Sequence, residues 1–161
     1  MSEIIPPENK ELLKLVLGST QKQSYITTVQ GVQQQIEQHG DLIDVPVQHH
    51  FAPGVYMRQM DAKGGTLVVS KMHRTEHMNI LLKGSLTIAT ENGIELMVAP
   101  CVLKSMPGTK RIGYFHEDSS WITVHPTEET DLSEIEKQVI VPEQEIGQFM
   151  ALLKNERKEI N

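Results

Sequence analysis

Residues 65–88, GTLVVSKMHRTEHMNILLKGSLTI, decide how the chain is read. A short apolar run leads to His73, a polar tripeptide Arg74-Thr75-Glu76 follows, and His77 opens a second apolar run that ends at Gly84. Apolar runs this short, bounded by polar and glycine residues, are strands rather than helices. By alternation, Leu67, Val69, Lys71 and His73 share one face of the first strand, and Thr66, Val68, Ser70 and Met72 share the other. The face with Leu67 and Val69 is expected to be the inner one, which sends Lys71 and His73 inward. A tight turn at residues 74–76 would return the chain and set His77 beside His73. Two neutral imidazoles brought together each offer a lone pair to a divalent cation.

The same texture extends on both sides. From residue 44 onward, runs such as VPVQHHF, VYMRQM, SLTIAT, IELMVA, RIGYF and WITVH alternate with Pro53-Gly54, Gly64-Gly65, Lys83-Gly84, Asn92-Gly93 and Pro107-Gly108. Asn92-Gly93 is a two-residue hairpin signal. Eight or nine short strands punctuated this regularly predict an antiparallel sandwich or barrel. Helices are expected at both ends. Residues 8–17 read as a short helix stopped by Gly18, and Ile26, Val29, Val32 and Ile36 recur at helical spacing up to Gly40. After Pro126, TDLSEIEKQV opens with a capping residue, and Ile146, Phe149, Met150 and Leu153 fall on one helical face. The expected organisation is a helical extension over 1–43, a β domain over 44–126 and an acidic helical segment over 127–161, packing on the β domain or on a partner subunit.

The 65–84 stretch resembles the first motif of the cupin family, which runs glycine, five residues, His-x-His, three or four residues, glutamate, six residues, glycine. Here Gly65, TLVVS, Lys71-Met72-His73, RTE, His77, MNILLK and Gly84 fill those places in order. Lys71 stands at the first histidine position and His77 at the glutamate position. The second motif of that family is matched less closely: counting from Pro107, Ile112 takes the histidine position, His116 the asparagine position, and the glycine falls at Gly108. The resemblance covers roughly residues 45–126. It implies a mainly β, cupin-type double-stranded β-helix of jelly-roll form, a homo-oligomer, and an interior that holds iron, manganese, nickel or zinc. Family members include oxygenases, isomerases and pure binding proteins, so the fold does not choose the function.

The candidate site residues follow from that frame. His73 and His77 are two candidate metal ligands. His125 shares a strand face with Trp121 and Thr123 and is the first choice for a third, with His49, His50, His116 and Glu76 as alternatives. Lys71, Arg111, Lys110 and Trp121 are candidates for holding a small anionic molecule, since a guanidinium offers a forked donor and an inward ammonium needs an anionic partner. Tyr114 is a candidate proton donor. Two readings stand side by side: a metal-dependent enzyme, such as an oxygenase or isomerase acting on a small anionic substrate, and a metal-free protein that sequesters or senses an anionic metabolite or nucleotide.

Composition narrows the classes. The chain has 161 residues, 39% hydrophobic, with a formal net charge of −6. Nine acidic and four basic side chains fall in residues 127–161, so the C-terminal segment carries most of the negative charge. An acidic chain without a basic stripe is a poor ligand for long nucleic acid. The apolar runs are too short for a transmembrane helix. The N-terminal residues lack the pattern of a secretion signal, and the single Cys101 fits a reducing, cytoplasmic setting.

Overall fold

A computed structural model describes residues 3–5, 22–40, 42–90 and 93–160. The expected helix over 8–17 and the turn residue Asn92 lie outside the described residues. The elements run β1 (Glu3–Ile5), α1 (Lys22–His39), β2 (Val47–Ala52), β3 (Val55–Ala62), β4 (Leu67–Val69), β5 (Met72–His73), β6 (His77–Lys83), β7 (Ser85–Thr90), β8 (Gly93–Val98), β9 (Cys101–Ser105), β10 (Ile112–Phe115) and β11 (Ser119–Pro126). They are followed by α2 (Leu132–Val139), β12 (Ile140–Val141), a 3-10 turn (Glu143–Glu145) and α3 (Ile146–Glu159). None of the helices among the described residues is long and apolar enough to cross a membrane.

Ten of the strands among the described residues form two five-stranded antiparallel sheets, and β5 pairs with β12 in a separate two-stranded one. One five-stranded sheet has the order β1-β4-β10-β7-β8, and the other β2-β3-β11-β6-β9. From β3 onward the chain crosses between the sheets repeatedly, so that β4, β10, β7 and β8 face β3, β11, β6 and β9. That strand order is a jelly roll of eight strands, with β1 and β2 each adding one strand to an edge.

The space between the sheets is filled from both sides by Met60, Ala62, Val68, Leu81, Leu86, Ile88, Met97 and Phe115. A second core lies outside the first sheet. There Tyr25, Val29, Val32 and Ile36 of α1 pack on Leu67, Val69, Ala89 and Ile112. Gln34, Gln35 and Gln38 of α1 are left to solvent, whereas Gln33 is buried. The Tyr25 hydroxyl lies 2.7 Å from the Ala89 carbonyl and 3.0 Å from that of Lys110, so its buried polar end is satisfied.

This second core corrects the facing expected for residues 66–73. Val68, not Leu67 and Val69, points between the sheets. The strand is buried on both faces, so its apolar residues do not reveal which face is inner. His73 still reaches the interior because β4 and β5 are separate strands, and the regular alternation slips by one residue across Ser70-Lys71. Lys71 is left outside, and Met72 packs against Val141 and Ile146.

The C-terminal elements lie against the chain's own sandwich. Asp131 caps α2 by accepting from the Ser133 and Glu134 amides. Ile135 and Val139 of α2 pack on Tyr56, and β12 pairs with β5 in the register Ile140↔His73 and Val141↔Met72. Phe149 and Met150 of α3 pack against the cluster of Met72, Val141 and Ile146.

Candidate functional site

His73, His77 and His125 come from three strands and meet at one end of the interior. The turn at residues 74–76 sets the His77 ring 4.2 Å from that of His73, centroid to centroid. His125 lies on β11, next to β6 in the sheet, on the same face as Thr123 and Trp121. Its ring is 5.6 Å from His73 and 4.8 Å from His77. His77 and His125 are 4% and 2% exposed.

Burial sets the protonation of this cluster. His73 is held well below the ordinary imidazole range, first by desolvation and then by the charges of His77, His125, Arg111 and Arg58. His125 is lowered to about 4 by burial, with His77 and Arg58 adding to it. His77 is lowered by burial too, and its contact with the Thr75 carbonyl acts in the opposite sense. All three rings are therefore neutral at pH 7. The His77 Nδ1–H donates to the Thr75 carbonyl at 3.0 Å, which leaves Nε2 with the lone pair. The buried His125 Nδ1 has no hydrogen-bond partner.

Beside the histidines the interior contains a cavity of about 80 Å³, lined by His73, His77, Ser70, Asn79, Arg111 and Trp121 among others. Thr109 and Thr123 add hydroxyls, and Val68, Leu86 and Phe115 form its apolar wall. Arg111 is fixed there by a hydrogen bond from Nη1 to Ser105 Oγ and by its amide, which donates to Ser70 Oγ at 2.9 Å. Asn79 Nδ2 donates to the same Ser105 hydroxyl at 2.7 Å.

The other sequence candidates lie elsewhere. Lys71 pairs with Glu136 of α2 on the outside. Lys110 is buried, but its Nζ lies 2.8 Å from Glu143 and 2.9 Å from the Ser70 carbonyl and does not line the cavity. Tyr114 packs on the outer core beneath α1 and meets His116 edge-on at 5.3 Å. The expected proton-donor role is corrected by this placement: on β10, Gly113 and Phe115 face the cavity, so Ile112 and Tyr114 cannot. Glu76 faces solvent, paired with Lys104 at 3.0 Å. His50 contacts Gln59 and His116 contacts Thr87, both in exposed positions. His49 touches the Tyr56 hydroxyl at 2.8 Å but is itself exposed. Only His125 of these alternatives joins His73 and His77.

Sequence reasoning missed Arg58, Asn79 and Thr109. The signal for Arg58 was its alternation on β3, where it shares a face with Tyr56 and Met60; that for Asn79 was its parity with His77 and Leu81. Thr109 sits outside any strand and had no such signal.

The donor set suits a divalent transition ion in kind: three neutral imidazoles, one oriented by a backbone carbonyl and one with an orphaned buried nitrogen. As the rings stand, no group of three or more His, Cys, Asp or Glu among the described residues is arranged to hold a metal ion. Closing three nitrogens on one ion requires the rings to turn.

No family model matches the chain, and no curated protein matches it. Similar solved structures include an acetylacetone dioxygenase from Acinetobacter johnsonii, 14% identical over 51% of this chain and 59% of that one, with a TM-score of 0.42. Another is a cupin superfamily protein from Desulfitobacterium hafniense, 12% identical over 52% and 77%, TM-score 0.45. A third is a cupin-2 domain containing protein from Shewanella frigidimarina, 14% identical over 59% and 91%, TM-score 0.42. The chain thus spans 59% of the length of the dioxygenase. Overlaps at this level leave the architecture to rest on strand order. The fold is a jelly roll of two facing antiparallel sheets. What it does depends on the site, not on the fold.

Proposed function

We propose that the protein is a small-molecule cupin in which His73, His77 and His125 take up one divalent transition metal beside the 80 Å³ cavity. The observation that carries this reading is the meeting of three neutral imidazoles from three strands at one point. When bound, the ion would supply Lewis-acid polarisation of a ligand oxygen or, as iron, one-electron chemistry. The chain's own residues do the rest. Arg111 would hold an anionic group of the substrate through its guanidinium, Asn79 and the Thr109 and Thr123 hydroxyls would orient polar atoms, and the apolar wall would exclude water. Tyr114 has no part in this, so any proton must move through the histidines or a solvent molecule.

Cavity size limits the substrate. A volume of about 80 Å³ holds fewer than about three waters' share of liquid volume, far below the roughly 300–1,000 Å³ of drug-sized ligand sites. A compact anion is the better match to this interior. Oxygenation and isomerisation of such a compound are both compatible with these residues.

A second reading, metal-free binding of a small anion, is favoured by one observation: Arg111 lines the cavity and no carboxylate does. Elemental analysis of protein purified without chelator separates the two. About one divalent ion per chain, lost in His125→Ala, is expected for the first reading. Metal-free protein that fails to take up Co²⁺ overturns it and leaves the second.

A further inference from the structure

We propose that the acidic C-terminal segment positions His73, and that the buried Lys110–Glu143 pair is the joint through which it does so. This rests on the reading that His73 belongs to a working site.

The strand bearing His73 is only two residues long and is held from both flanks. On one side the His73 amide donates to the Thr109 carbonyl at 3.1 Å, and the Gly108 amide donates to the His73 carbonyl at 2.8 Å. On the other side β12 supplies the ladder, with Ile140 opposite His73 and the Arg74 amide donating to the Val139 carbonyl at 2.7 Å. Without β12 this strand would have an open edge beside a phase slip, and residue 73 would be held from the Gly108-Thr109 side alone.

Lys110 joins the two sides. It is the residue after Thr109, and its side chain is 0% exposed. Its ammonium donates to the Ser70 carbonyl, where the β4 ladder stops and the alternation slips, and to Glu143, two residues beyond β12. A buried ammonium is costly without its partner. Glu143 is therefore held in place, and β12 with it. Two further pairs join the same surfaces, Lys71 to Glu136 and Arg74 to Glu145 at 3.7 Å. Both are solvent-accessible and contribute little each. In all three pairs the base lies on the sandwich and the acid on the C-terminal segment. The charge asymmetry of the sequence is thus used as a docking device, with Lys110–Glu143 as its buried member.

The test uses the full chain and three variants: Glu143→Gln, the double variant Lys110→Met/Glu143→Gln, and Glu136→Gln as the exposed comparison. Thermal midpoint, the His73 ring resonances in a nitrogen-detected imidazole spectrum at one fixed pH, and Co²⁺ affinity are read for each. In Glu143→Gln the midpoint should fall, the His73 resonances should move, and Co²⁺ should bind about tenfold more weakly, as for loss of a partner that orients a ligand. The double variant should recover the midpoint, because no buried charge is left unpaired, yet keep the shifted resonances and weak Co²⁺ binding. Glu136→Gln should resemble the parent. If Glu143→Gln does not fold, the double variant is the one read. A lower midpoint with His73 resonances and Co²⁺ affinity unchanged would make the pair merely structural and overturn the proposal. Failure of the parent to bind Co²⁺ would instead overturn the metal reading, and the His73 resonances alone would then decide positioning.

Discussion

His73 and His125 lie with their rings 5.6 Å apart and 13° from parallel, one on a two-residue strand and the other on the long central strand β11. Two protonated rings at that separation would repel strongly in a site from which most water is excluded. The arrangement is stable only while the imidazoles are neutral, and that links the site to the stability of the whole domain.

The sign of this link is definite. The folded pKa values of His73, His77 and His125 are all below the ordinary value of 6.5, His125 at about 4. The unfolded chain therefore binds more protons than the native chain between those limits, and stability falls as pH drops from about 6.5 towards 4. For His125 alone the loss is on the order of 3 kcal/mol. Urea unfolding at a series of pH values should show a lower midpoint at each acid step, and His125→Phe should flatten the series. A midpoint constant down to pH 4 would contradict the neutral cluster.

Gly84 closes the turn between β6 and β7 with φ of +91°. A Cβ there would overlap the Ser119 Oγ and come within 2.6 Å of its Cβ and 2.7 Å of its Cα. Gly84→Ala should cost more than about 2 kcal/mol, from backbone strain and steric overlap together. Adding Ser119→Ala should not restore it, because the Cβ and backbone contacts remain. Gly31, on the exposed side of α1 with nothing within 4 Å, is the opposite case. Gly31→Ala should stabilise by about 0.5–1 kcal/mol. Chemical denaturation of both variants checks the contrast.

Much of this was legible in the sequence, and the failures share a cause. Strand count, the α1 stripe and the 74–76 turn could be read because period and turn chemistry are local. The inward faces of His77 and His125 could be read because each follows from its own turn or strand, whereas His73 reaches the interior through the slip at Ser70-Lys71 and not by the alternation expected for residues 66–73. The facing of Leu67 and Lys71 could not be read. Its determinant is α1, which buries the outside of the sheet and makes both faces of β4 apolar, and the slip at Ser70-Lys71 then breaks the count. Tyr114 failed for the same reason, since α1 covers the side of β10 that carries it. Lys110 was readable as basic but not as buried, because Glu143 reaches it from a distant part of the chain.

The misplaced lysine yields its own prediction. Lys71 pairs with Glu136 in a solvent-accessible position, so Lys71→Ala should change stability by less than about 1 kcal/mol. Trp121 is the only tryptophan of the chain and lines the cavity, so its fluorescence reports on the interior. Lys71→Ala should leave the emission unchanged, whereas Arg111→Ala, which removes a cavity wall, should shift it. A shift for Lys71→Ala as large as that for Arg111→Ala would place Lys71 inside after all.

Ser105 offers the sharpest test of how the cavity wall is built. It is fully buried, and its hydroxyl accepts from both Asn79 Nδ2 and Arg111 Nη1. Ser105→Ala would leave two buried donors short of an acceptor, at about 1–3 kcal/mol for an unsatisfied group. The two donors are coupled through one oxygen, so a double-mutant cycle with Asn79→Ala should give an interaction energy above about 0.5 kcal/mol. Arg111, deprived of this acceptor, should shift within the cavity and move the Trp121 emission even where the fold is intact. Additive losses and an unmoved emission would mean that the hydroxyl only fills space and does not orient Arg111.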